Sequence, residues 1–73
     1  MQPNQSVRRQ FAHRLIRLRS KHKLTQEQLA ERAGVSDKYI QMLESKTPSK
    51  VSIDVLKGIA DAFEIPLWKL LKF

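Results

Sequence analysis

Residues 24–44 read LTQEQLAERAGVSDKYIQMLE, and this stretch decides the fold. Thr25 stands before a helical run with Gln28 three positions on, the spacing of a capping box. Leu24 and Leu29 flank the pair and can close over it as a hydrophobic staple. Val35-Ser36 followed by Ile40 repeats the device, and Val51-Ser52 followed by Leu56 repeats it again. Each capping oxygen satisfies an orphan N–H of a first helical turn, and each apolar pair sets the angle at which the chain enters. The signatures predict helices over about 26–33, 37–44 and 53–63. Only Ala33-Gly34-Val35-Ser36 separates the first two, and Gly34 supplies the left-handed backbone that lets one helix stop and another start steeply.

Working outward, Phe11, Leu15 and Leu18 fall at i, i+4 and i+7, one apolar stripe of a helix from about Ser6 to Lys21. Residues 1–6 are then a flexible polar arm, without the apolar stretch of a signal peptide. Toward the other end, Ile65-Pro66 breaks the chain, and Leu67 to Lys72 can form a short last helix with Pro66 at its start. Nowhere does hydropathy alternate as in a strand. The expectation is all-α: a compact bundle of five helices, one domain over residues 1–73. A chain of this length buries only about 60% of its unfolded surface, which leaves a thin core and no room for an effector pocket.

Several chemistries are disfavoured. There is no cysteine, so disulfides, thiolate metal sites and cysteine nucleophiles are excluded, and the composition fits a reducing cytoplasm. His13 and His22, the two histidines, are too few for a metal site and have no acid partner nearby. No glycine-rich phosphate loop or nucleophile motif occurs, so an enzyme is the least supported class and no cofactor or metal is expected. No apolar run approaches the roughly 20 residues of a membrane span.

Charge gives the first positive clue. Fourteen Lys and Arg oppose seven Asp and Glu, a net charge of +7. The excess lies in residues 1–23, where Arg8, Arg9, Arg14, Arg17, Arg19, Lys21 and Lys23 have no acid among them. Residues 24–73 are neutral. A basic end on a neutral body suits an extended anionic partner, nucleic acid before membrane.

Two short helices joined by a tight glycine turn make a helix-turn-helix, whose second helix can lie in the major groove of DNA. Ile40 and Leu43 would hold that helix to the domain, leaving Asp37, Lys38 and Gln41, with Tyr39 and Met42, for the other side. Leu18-Arg19, Leu24 to Ala30, Gly34-Val35-Ser36, Ile40, Glu44, Leu56 and Ile59-Ala60 form an ordered set covering about four-fifths of the chain. In that set the chain resembles the lambda-repressor-like (Cro/repressor, or Xre) helix-turn-helix family, most of whose members bind operator DNA as dimers. Its size and Tyr39-Ile40 also resemble controller proteins of restriction–modification systems.

The resemblance implies roles position by position. Gln26, with Thr25, would meet a DNA phosphate beside the N-terminal amides of its helix; the plain alternative is a first-turn glutamine. Asp37, Lys38, Tyr39, Gln41 and Met42 are the base-reading candidates. Lysine can donate to guanine N7 and O6, aspartate can accept from cytosine N4, and glutamine can pair with adenine. Asp37 can instead stabilise the helix dipole, and Tyr39 and Met42 can instead pack. Arg19 and Glu44 match an ion pair that braces the recognition helix while leaving part of the guanidinium for phosphate.

After that helix the family usually carries glycine where this chain has Lys46, and a lysine in a left-handed cap costs about 1–2 kcal/mol. Another loop path is therefore expected, with Lys46, Thr47, Ser49 and Lys50 as phosphate-binding candidates or a solvated loop. Arg8, Arg9, Arg14 and Arg17 form either a solvated face or a diffuse DNA-facing potential, with Arg8 and Arg9 near backbone or minor groove. Ile16 sits where relatives are polar. Leu67, Leu70 and Leu71 can cover the core, whereas Trp68 and Phe73 are surplus to it; Leu67, Trp68, Leu71 and Phe73 together suggest a homodimer interface, unless Trp68 simply closes the core. Glu27 and Glu31 occupy positions that contact RNA polymerase in some relatives, or form a solvated face.

The reading is thus a sequence-specific double-stranded DNA-binding transcriptional regulator, nucleoid-associated in the cytoplasm. As a homodimer it would bind an inverted-repeat operator through the major groove, with no small-molecule effector and no membrane partner. The alternative is an antitoxin-like protein-interaction module, favoured by the greasy C-terminus and disfavoured by the positive N-terminal half.

Overall fold

A computed structural model describes residues 3–48 and 50–73, with side chains from Val7 onward. Five helices follow in order: α1 (Pro3–Lys21), α2 (Gln26–Ala33), α3 (Asp37–Leu43), α4 (Ile53–Ala62) and α5 (Leu67–Leu70). Among the described residues there is no strand, and no helix is long and apolar enough to cross a membrane. One expectation is corrected. The arm expected over 1–6 is helical from Pro3, because proline at a first helical position has its φ preset and lacks an N–H that would go unpaired there. Met1 and Gln2 lie outside the described residues.

The three caps form as their spacing predicts. Thr25 Oγ1 accepts from the Gln28 amide at 3.0 Å while Gln28 Oε1 accepts from the Thr25 amide at 2.9 Å. Ser36 Oγ accepts from the Tyr39 amide at 3.1 Å, and Ser52 Oγ from the Val55 amide at 3.2 Å. The helix exits share a second device. Lys23, Gly34 and Glu64 take left-handed φ values of 55°, 75° and 58°. The amides of the next residues, Leu24, Val35 and Ile65, reach back to the carbonyls of Arg19, Ala30 and Ala60 at 3.0 Å each. These are Schellman closures, each followed by an apolar residue that turns back onto the core. α5 ends at Leu70, sooner than expected.

Leu15, Leu29, Ile40, Leu43, Ile59 and Leu70 have no exposed surface, and Phe63 has almost none. α2 packs on both α3 and α4, and α5 packs on α4. The α2–α4 crossing is close at Gly58, where a Cβ would stand 3.0 Å from the Ala33 carbonyl oxygen. α1 meets α5 through Arg14, whose Nη2 donates to the Lys69 carbonyl at 2.8 Å. This contact joins residues that no local pattern links.

Candidate nucleic-acid interface

The site is built on α3. Ile40 and Leu43, both wholly buried, anchor its inner side, and Asp37, Lys38, Gln41 and Met42 are exposed on the other. Asp37 Oδ1 accepts from the Lys38 amide at 3.1 Å, so this carboxylate serves the first turn of the helix as well as facing outward. Tyr39 departs from the base-reading set. It is half-buried against the core, and its hydroxyl donates to the Lys50 carbonyl at 3.2 Å. Its donor is thereby spent on holding the following loop to α3.

At the other end of α3 lies Glu44, whose side chain is only 4% exposed. Arg19 Nε donates to its Oε2 at 2.8 Å and Arg19 Nη2 to its Oε1 at 2.9 Å, a bidentate pair. Arg19 Nη1 also donates to the Leu24 carbonyl at 3.0 Å. The hydrogen bond to Glu44 raises the guanidinium's pKa above its ordinary value; partial burial opposes this, and the charge of Glu44 adds to it. Gln26 Nε2 donates to Glu44 Oε1 at 2.8 Å. The expected phosphate ligand is therefore a braced side chain, with one amide proton committed to Glu44 and one left over. Glutamine at the start of α2 thus joins the pair that steadies α3, which sequence spacing does not reveal.

The loop after α3 takes another path, as the missing glycine predicts. Lys46 is not in the left-handed region. Ser45 Oγ instead donates to the Met42 carbonyl at 2.8 Å, a hydroxyl closing the helix. Pro48 is buried, and Lys46, Thr47 and Lys50 are exposed beside it. Ser49 lies outside the described residues. Thr25 is exposed, and since its oxygen accepts from Gln28, its hydroxyl proton is available to a phosphate.

The remaining candidates separate. Trp68 is 66% exposed and Phe73 51%, with Leu71 exposed beside them. Leu67 packs against the core and is removed from the exposed set, because α5 is a single turn whose inner side it shares with Leu70. Two exposed apolar residues were missed, Val7 and Ile53. Val7 lies one turn before Phe11, and these two with Leu56, Leu71 and Phe73 line a groove of about 550 Å³ rimmed by Arg8 and Lys50. Glu27 and Glu31 are exposed on α2. The N-terminal bases differ in their surroundings. Arg8 lines the groove and Arg14 holds α5, while Arg9, His13, Arg17 and Lys21 face solvent.

A glycine-turned helix pair with an outward polar face, braced from beneath by a partly buried ion pair, is a DNA-binding helix-turn-helix. A helix-turn-helix family model matches residues 14–67, and the chain belongs to this family, in its Cro/C1 form. Among solved structures the chain is similar to the restriction-modification controller protein C.AhdI from Aeromonas hydrophila. The two share 28% identity at a TM-score of 0.86, over 94% of this chain and 99% of the other. No curated protein matches it.

Proposed function

We propose that the protein is a transcriptional regulator that binds an inverted-repeat operator as a homodimer, placing α3 of each protomer in the major groove. The observation that carries this reading is the pairing of an outward Lys38–Gln41–Met42 face with the Arg19–Glu44–Gln26 brace beneath α3. A recognition element must be rigid to discriminate bases, since a misplaced donor reads neither edge well. Thr25, Gln26 and the free N–H groups of Arg19 would hold one strand's backbone, and Lys46, Thr47 and Lys50 the other side, fixing register without reading sequence. Ser49 joins that loop by its position in the chain. Likeness to a controller protein supports a regulatory role.

Trp68, Leu71 and Phe73 supply the dimer contact, which would set the two recognition helices about 34 Å apart, one turn of DNA. Control through the protein's own concentration follows from such a dimer. Glu27 and Glu31, exposed on α2, are open to polymerase. The same exposed aromatics favour a second reading, docking of a different protein in antitoxin fashion. Selection of bound duplexes from a random pool tests the first reading. An inverted repeat is the expected outcome, and a pool that stays random would overturn it.

A further inference from the structure

Between α1 and the exit of α3 lies a cleft of about 360 Å³ that the recognition face does not use. Arg9 and His13, four residues apart on α1, stand on one wall, and Lys46 stands on the other. All three are exposed. Ala12 and Ile16 make an apolar floor. Ile16 is 39% exposed, and an apolar residue there can support the aliphatic stem of an arginine and the sugar face of a nucleotide. The single acid lining the cleft is Glu44, and both its carboxylate oxygens are taken by Arg19 and Gln26. Ser45 has given its hydroxyl proton to the Met42 carbonyl. The cleft thus offers a ligand a guanidinium, an ammonium and an imidazole N–H, in a space large enough to admit a phosphate.

We infer that this cleft binds a backbone phosphate of the same duplex that α3 reads, outside the bases α3 touches. The inference rests on the reading of α3 as the recognition helix. Position argues for the flank. α3 begins its reading at Asp37 and Lys38 and carries it to Gln41 and Met42, whereas the cleft adjoins the residues beyond the helix's C-terminal end, about 10 Å from Asp37 along a helix of this length. Lys46 belongs to both the loop beside α3 and the cleft, so the two surfaces are continuous. Arg17, two turns along α1 from Arg9 and exposed, does not line the cleft. It is a built-in control for bare charge.

The test compares Arg9→Gln, Arg17→Gln and Lys38→Ala with the unaltered protein, on duplexes trimmed to the selected site and on the same site with flanks. Arg9→Gln should lose about threefold to fivefold in affinity on the flanked duplex, with the salt slope falling by about one per protomer. It should lose nothing on the trimmed one, and Arg9→Lys should recover most of the loss. Arg17→Gln should not reproduce that dependence on flank. Equal losses for Arg9→Gln and Arg17→Gln, or a loss indifferent to duplex length, would overturn the cleft while base selectivity stood. A protein without base selectivity, unaffected in its preferences by Lys38→Ala, would overturn the reading of α3 instead. Failure to bind any duplex would remove both.

Discussion

Arg19 and Glu44, 25 residues apart, meet through two hydrogen bonds of 2.8 and 2.9 Å at the point where α1 passes the end of α3. Glu44 holds the Arg19 pKa above its ordinary value, so the guanidinium's share of the stability is fully present at neutral pH and is lost as the pH rises through that raised value. Removing one partner is costly because the other stays partly buried and unpaired. Glu44→Ala should therefore lower stability by about 2–4 kcal/mol in denaturant unfolding. It should also weaken DNA binding with selectivity reduced across the half-site. A variant as stable as the original would show that solvent replaces the carboxylate without cost.

Base reading and backbone holding give different signatures. Lys38→Ala and Gln41→Ala should each relax preference at one position of a half-site, by about 1–3 kcal/mol. Lys50→Ala should weaken binding to every sequence alike and flatten the salt dependence by about one unit per protomer. Binding titrations on single-position operator variants at several salt concentrations separate the two. A uniform loss for Lys38 or Gln41 would remove that side chain from the reading set.

Trp68 is the most exposed aromatic described, and its removal should be felt by the assembly before the fold. Trp68→Ala should shift sedimentation toward monomer and leave the helical signal unchanged. A dimer of undiminished strength would mean that the protomers meet elsewhere.

Two of the left-handed helix closures are made by residues with a Cβ, Lys23 and Glu64. Glycine adopts that region without the steric cost of about 1–2 kcal/mol, though it loses more entropy on folding. Lys23→Gly and Glu64→Gly should each stabilise by about 0.5–1 kcal/mol. Gly34→Ala should destabilise, since it adds a Cβ at φ 75°. Thermal melts of the three variants check the signs.

What could be read in advance follows the range of the interaction. The caps at Thr25, Ser36 and Ser52 and the turn at Gly34 are contacts between residues three to five apart, so spacing alone carries them. The missing glycine at Lys46 likewise foretold a different loop, because one residue's φ decides it. The Arg19–Glu44 pair came from the resemblance, since charge and spacing alone do not choose a partner 25 positions away.

The amino-acid sequence by itself determined five helices, the starts of α2, α3, α4 and α5, the polar side of α3 and the uneven charge, because each depends on local backbone geometry or on counting. Only the tertiary structure decided which polar side chains stand free. Arg14 is spent on the Lys69 carbonyl 55 residues away, Gln26 on Glu44, and the Tyr39 hydroxyl on Lys50. It also brought Arg9 and His13 opposite Lys46. The physical reason is that hydrogen-bond partners across a small core are chosen by how helices cross, and crossing is set by burying all the apolar stripes at once.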